Sequence, residues 1–171
     1  FGSGYSMFCA AMALHENGGG KLVSIDPLFD DAGLKQHMKR VIHMLPNANE
    51  WIMKSNDVVF HPNYSQDILP TLDEKFDLIY IDGDHTYEGT KSDWLGTKDK
   101  FNKFLLFDDY HLPTKKQDAF AGSMDIDCAR AIDEIDDFEK ELIIMDRRIF
   151  LDDRGYTDDQ IDYGQVLIEK K

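Results

Sequence analysis

The sequence predicts an α/β fold: a doubly wound, Rossmann-like, mostly parallel sheet with an antiparallel hairpin at its C-terminal edge. Three observations carry this. Short β-rich runs alternate with amphipathic helical patterns along the 171 residues. Three of those runs break off in acids and turn residues, as strands do at the ligand edge of an open α/β sheet. The last two runs are joined by a polar connection, Leu151 to Asp162, rather than by a helical one, and strands joined in that way can pair antiparallel.

The elements follow in order. Ser6 to Glu16 is Ala- and Met-rich with helical spacing, and Gly18-Gly19-Gly20 ends it. "KLVSID", Lys21 to Asp26, is a strand that Pro27 stops. Asp31 to Leu45 is helical, with Leu34, Met38, Val41, Ile42 and Leu45 at three- and four-residue steps. "DVVFHP", Asp57 to Pro62, is the next strand, and "NYSQDILP" places Ser65 and Gln66 on a loop at the sheet edge. "FDLIYID", Phe76 to Asp82, is followed by a weaker helix over Glu88 to Asn102 and by "KFLLFDD", Lys103 to Asp109. Ile126, Ala129, Ile132 and Ile135 share one stripe of a helix over Ile126 to Phe138. "ELIIMD" and "YGQVLIEK" form the edge hairpin. A Gly-rich turn entering a helix normally follows a strand, and none precedes "FGSGYS". A first, central strand is therefore expected upstream of the given chain, which otherwise reads as a single domain over residues 1–171.

Composition narrows the function. Apolar residues make up 42%, enough for a core, and no apolar run approaches the roughly 18 residues of a membrane span. A net charge of −14 repels phosphate backbones and anionic lipid, which argues against nucleic-acid and membrane partners. Cys9 and Cys128 lack CxxC spacing; two reduced thiols in a cytoplasmic protein are the expectation, a disulfide between them the alternative.

Chemistry gathers at the strand ends. "GSGYS", Gly2 to Ser6, lets a ligand approach the backbone at a helix N-terminus. Asp26, about 20 residues on, stands where an acid commonly bonds ribose hydroxyls; a turn role is its structural alternative. "IDGDH" and "FDDYH" put Asp82, Asp84, His85, Asp108 and Asp109 at the carboxyl ends of two neighbouring strands. Clustered carboxylates raise one another's pKa values unless a cation neutralises them. Oxygen ligands suit Mg²⁺, Mn²⁺ or Ca²⁺, and a histidine with an ordinary pKa of about 6.5 can take a proton near neutrality.

With "GYS", "SID", "YSQDILPTL", "FDLIYIDGDHTYEG" and "LLFDDY" in view, the chain resembles the class I S-adenosylmethionine-dependent methyltransferases. Within them it is most similar to the small metal-dependent O-methyltransferases, of the catechol and caffeoyl-CoA type and of the antibiotic sugar type. The resemblance spans nearly the whole chain. It implies that Gly2, Ser3, Gly4, Tyr5 and Ser6 border the methionine end of S-adenosylmethionine, Asp26 the ribose, and Ser65, Gln66, Gly83 and Asp84 the adenine side, with capping of the following helix as the alternative for Asp84. It implies that Asp82, Asp108 and Asp109 hold a divalent metal, Mg²⁺ first among them. His85 falls three residues after the first such acid, where the catechol type has a lysine and the sugar type a histidine; it is the implied catalytic base. The implied acceptor is a hydroxyl of a small molecule or sugar.

The chain also departs from the pattern. The acid ending the first strand is absent with that strand, the first glycine of the cofactor turn is not evident, and "DKFNKF" replaces the usual Gly-Gly before the "DDY" strand. Rival readings are a methyltransferase without metal, a non-catalytic S-adenosylmethionine-binding module and, more distantly, a nicotinamide dehydrogenase, in which the acid triad has no task. His111 reads as pocket wall, the loop Tyr110 to Met124 as a lid or plain surface. The acidic, aromatic stretch Phe150 to Gly164 reads as a solvated edge or a contact between subunits of a homo-oligomer.

Overall fold

The computed structural model describes residues 5–30, 58–111, 127–144 and 163–171. Two compact units divide the chain, Phe1–Leu72 and Asp73–Lys171. The helix expected over Asp31 to Leu45, most of the loop Tyr110 to Met124 and nearly all of Phe150 to Gly164 lie outside the described residues, as do Gly2, Ser3 and Gly4.

In the first unit, helix α1 (Tyr5–Glu16) ends at Gly18, whose φ of 90° is the left-handed conformation that glycine adopts without a Cβ penalty. The amide of Gly19 closes the turn on the Leu14 carbonyl at 2.7 Å. Strands β1 (Leu22–Ile25) and β2 (Val58–His61) pair in parallel, Leu22 opposite Val58 and Ile25 opposite His61. Past β2, the segment expected as a loop is largely helical. Ser65–Ile68 forms a single turn, α2, and Leu69–Thr71 a 3₁₀ turn with Pro70 near its start. Proline lacks only an amide that the first turn leaves unpaired anyway, and Leu69 is buried.

The second unit is a βαβ crossover with an antiparallel extension. Strands β3 (Phe76–Ile81), β4 (Phe101–His111), β5 (Lys140–Ile144) and β6 (Tyr163–Glu169) stand in the order β3-β4-β6-β5. β3 and β4 are parallel; β6 is antiparallel to both β4 and β5. The expected edge hairpin is therefore present, with β5 outermost. Helices α3 (Tyr87–Thr97) and α4 (Cys128–Asp133) contribute to the core of this unit. That core joins Phe101, Leu105 and Phe107 of β4, Val166 and Ile168 of β6, Trp94 of α3, and Ala129 and Ile132 of α4. Trp94 meets Phe138 edge-on at 5.6 Å. Tyr87 braces the two helices: its hydroxyl donates to Glu134 at 2.6 Å, and the Arg130 guanidinium lies 3.8 Å above its ring.

Two boundaries differ from expectation. The helix expected to Asn102 stops at Thr97, and β4 begins at Phe101. Phe101 has no exposed surface and fills the core against Phe138, so burial of this ring overrides the helical pattern. The helix expected to Phe138 stops at Asp133; Ile135 still reaches the core and Phe138 packs against it from an irregular segment.

Tyr110 is buried and its hydroxyl donates to Asp133 at 2.8 Å. Burial, then that bond, push its phenol from 10.0 up to about 12. A folded pKa above the unfolded one means stability that is complete below about pH 10 and is lost as pH rises through about 12. Urea midpoints measured in chelator should therefore decline across pH 10 to 12, and Tyr110→Phe should flatten the decline. An unchanged slope in the variant would refute the assignment.

Candidate active site

Each candidate residue of the second unit is placed by local rules. β3 ends at Ile81, and Asp82-Gly83-Asp84-His85 turns the chain into α3. Thr86 is the N-cap, its side chain accepting from the Gly89 amide at 3.1 Å. Asp84 Oδ1 accepts from the Thr86 amide at 3.0 Å, and the Asp84 carbonyl accepts from Thr90 Oγ1 at 3.2 Å. Asp84 thus shapes the approach to the helix. A Cβ on Gly89 would stand 2.5 Å from the Asp84 side chain, so only glycine lets this turn close so tightly. The His85 carbonyl accepts from the Asp127 amide at 3.0 Å, tying the turn to the start of α4.

β4 carries a bulge at the acid pair. Phe107 faces Val166 and Tyr110 faces Gly164, so Asp108 and Asp109 together oppose Gln165. Phe107 and Tyr110 both belong to the core, although regular alternation would send residues three apart to opposite faces. The inserted residue is Asp109, with φ 56°, a left-handed conformation that Asp and Asn tolerate better than most residues.

The bulge aims Asp109 at His85. His85 Nδ1 lies 2.8 Å from Asp109 Oδ2, and His85 Nε2 lies 3.4 Å from Asp82 Oδ1. The hydrogen bond to Asp109, reinforced by Asp82, holds the imidazole far above its ordinary 6.5, at about 10, against the opposing effect of burial. One donor atom from each of Asp82, His85 and Asp109 lies within 4.8 Å of the others. Ligands around an ion at about 2.0–2.6 Å stand up to roughly 5 Å apart, so Asp82 and Asp109 are close enough to share a divalent cation, with His85 beside it.

Asp108 does not join that set. Its Oδ2 accepts from the Tyr80 hydroxyl and its Oδ1 from Gln165 Nε2 at 3.1 Å. Tyr80, Gln165 and Cys128, whose thiol donates to the Asp109 carbonyl at 3.0 Å, are neighbours that sequence reasoning missed. The nearest signal was the F-D-D-Y spacing, where apolar residues three apart in a strand betray a bulge. Cys9 and Cys128 are both free thiols.

In the first unit, Asp26 follows β1 and is buried. Its Oδ1 accepts from the Leu28 amide at 2.7 Å, the turn role that was the alternative to ribose binding. Tyr5 and Ser6 open α1, and Ser65 and Gln66 open α2. Asp26 and the Ser65-Gln66 pair thus stand beyond the carboxyl ends of two parallel strands, as Asp82 to His85 do in the second unit, the position at which open α/β sheets bind ligands. Among the described residues no helix is long and apolar enough to cross a membrane.

The profile of the methyltransferase-domain family matches residues 1–110. No curated protein matches the chain. Among solved structures, the O-methyltransferase NovP is similar with a TM-score of 0.60 at 20% identity, over 99% of this chain and 68% of that one. An O-methyltransferase from Bacillus cereus in complex with SAH has a TM-score of 0.60 at 15% identity, over 98% and 70%. TomG of Streptomyces achromogenes, in complex with SAM, has a TM-score of 0.60 at 16%, over 99% and 70%. The chain therefore spans roughly 70% of the length of each of these proteins. The family match covers well over half of the sequence, and the fold agrees with it: the chain belongs to the methyltransferase-domain family, with the class I fold of these O-methyltransferases.

Proposed function

We propose that the chain is an S-adenosylmethionine-dependent O-methyltransferase acting on a hydroxyl of a small molecule or sugar. The observation that carries this is the Asp82–His85–Asp109 cluster at the carboxyl ends of two adjacent parallel strands in a methyltransferase fold. Oxygen acceptors need help to lose a proton, and this cluster is where the chain concentrates groups able to take one. The names of the similar structures support oxygen as the acceptor atom. The charge of −14 favours a small acceptor over nucleic acid or a membrane surface.

Residues 2–6, Asp26, Ser65, Gln66, Gly83 and Asp84 are the proposed cofactor contacts. S-adenosylmethionine, when bound, supplies an electrophilic methyl group, and the protein's task is alignment. Asp82 and Asp109, with Asp108 beside Asp109 in the strand, are the proposed cation ligands; a divalent ion held there, Mg²⁺ as the plainest match to carboxylate oxygens, would supply positive charge that lowers the pKa of a nearby hydroxyl and of the imidazole. His85 is the proposed base. Asp109 fixes the ring through Nδ1; the hydroxyl proton would pass to the imidazole as its oxygen takes the methyl group, the broken S–CH3 bond leaving its electron pair on the sulfur of departing S-adenosylhomocysteine.

Calorimetry with S-adenosylhomocysteine, with and without Mg²⁺, tests the reading together with methyl transfer to a panel of hydroxyl acceptors. Expected are cofactor binding, transfer to an oxygen acceptor and loss of transfer in chelator. No cofactor binding would overturn the proposal; full activity in chelator would remove the cation from it.

A further inference from the structure

Two consecutive residues at the start of α4 each hold one half of the candidate site by its backbone. The Asp127 amide donates to the His85 carbonyl at 3.0 Å, and the Cys128 thiol donates to the Asp109 carbonyl at 3.0 Å. His85 and Asp109 are the two residues whose side chains meet, Nδ1 lying 2.8 Å from Oδ2. A thiol facing a carbonyl oxygen is the donor of the pair, since the carbonyl has no hydrogen to give. Cys128 is buried, so this bond is made away from water, where an unmet carbonyl is costly. The carbonyl belongs to the inserted residue of the β4 bulge, at φ 56°. An inserted residue stands outside the regular ladder, so the ladder alone specifies its direction weakly. Helix α4 is itself anchored. Tyr110 donates to Asp133 at its far end, and Arg130 pairs with Asp127 at 2.9 Å while lying over the Tyr87 ring of α3.

We propose that Cys128 is a positioning residue of the active site: its thiol, with the Asp127 amide beside it, sets the spacing between Asp109 and His85. Neighbouring residues of one chain stand about 3.8 Å apart at Cα, a separation that does not stretch. One of this pair holds the turn that follows β3, and the other holds the bulge of β4. The start of α4 is therefore a fixed gauge between two strand ends that no ladder bond joins directly at this point. With its carbonyl tied to Cys128, Asp109 presents its carboxylate to the imidazole from a held backbone rather than from a loose insertion. Hydrogen-bonded supports of site residues commonly change metal affinity or activity about 10- to 100-fold when removed.

The inference rests on the proposed function, and its test has an arm that does not. On the full chain, long-range proton–nitrogen correlation spectra of the histidine rings report the hydrogen bond at His85 Nδ1, the signal being assigned by its loss in His85→Gln. Cys128→Ala removes the donor; Cys128→Ser keeps a donor of nearly the same size. In Cys128→Ala the Nδ1 signal is expected to move toward that of an imidazole in water, and in Cys128→Ser to stay where it is in the unmodified chain. The Kd for Mn²⁺, followed by electron paramagnetic resonance, should rise about tenfold in Cys128→Ala, and kcat should fall about tenfold while KM for S-adenosylmethionine stays constant. Cys128→Ser should restore both. If Cys128→Ala fails to fold by circular dichroism, Cys128→Val, which fills the site without a donor, takes its place. An unchanged Nδ1 signal in the folded donorless variant overturns the inference, and so does a Cys128→Ser as impaired as that variant, since packing rather than the hydrogen bond would then be at work. No Mn²⁺ binding or no methyl transfer by the unmodified chain would count against the proposed function instead, and the nitrogen signal would still decide the role of Cys128.

Discussion

Asp109→Asn is expected to lower kcat about 100-fold or more while leaving the melting temperature within a few degrees of the unmodified protein. Asparagine enters the left-handed region about as readily as aspartate, so the bulge at φ 56° survives the change. Its amide has nearly the shape of the carboxylate, so the burial around it is unchanged. What disappears is the negative charge 2.8 Å from His85 Nδ1, the first cause of the raised imidazole pKa; the proposed cation keeps only a neutral amide oxygen where it had a carboxylate. Removing one preorganised electrostatic group from an active site costs about 10²–10³ in rate. Asp109→Val should lose as much activity and also melt lower, because a β-branched residue resists positive φ. Steady-state kinetics on an acceptor found in the panel, paired with thermal melts, separate the two effects. An Asp109→Asn enzyme that keeps a third of its activity would remove Asp109 from the site.

Strand positions were legible in the sequence, and the reason is physical. Each strand is a short run of β-branched and aromatic residues closed by acids or turn residues, and Leu22–Ile25, Val58–His61 and Phe76–Ile81 all lie inside the runs read for them. Asp82, His85 and Asp109 were legible as a group, because parallel strands deliver their ends to one edge. The direction of Asp108 was not. It depends on Gln165, 57 residues away, and on a pairing register that no local pattern encodes. Alternation would have sent Asp108 and Asp109 to opposite faces; nothing short of the β4–β6 register shows which of the pair is the inserted one. The start of β4 escaped for a similar reason. "DKFNKF" has no strong strand signal, and Phe101 is drawn into the sheet by a core that exists only once Phe138 and Ile168 have arrived.

Phe107→Ala is expected to destabilise the second unit by about 3–5 kcal/mol, the usual range for deleting a buried phenylalanine ring. Phe107 is 1% exposed, and its ring centroid lies 6.2 Å from that of Trp94. The close-packed surroundings on α3, α4 and β6 can collapse only partly into the space left behind. Leu78→Ala is the control: Leu78 is 55% exposed, and its truncation should change stability by no more than about 0.5 kcal/mol. Urea unfolding followed by tryptophan fluorescence compares the two, since Trp94 senses the space that Phe107 vacates. The same substitution probes the site. Phe107 directly precedes the Asp108–Asp109 pair, so a softened core frees one anchor of the bulge. Phe107→Ala should therefore weaken Mn²⁺ binding even at temperatures where the chain remains folded, and Leu78→Ala should not. Equal Mn²⁺ affinity in both variants would show that the bulge keeps its shape without help from the core beneath it.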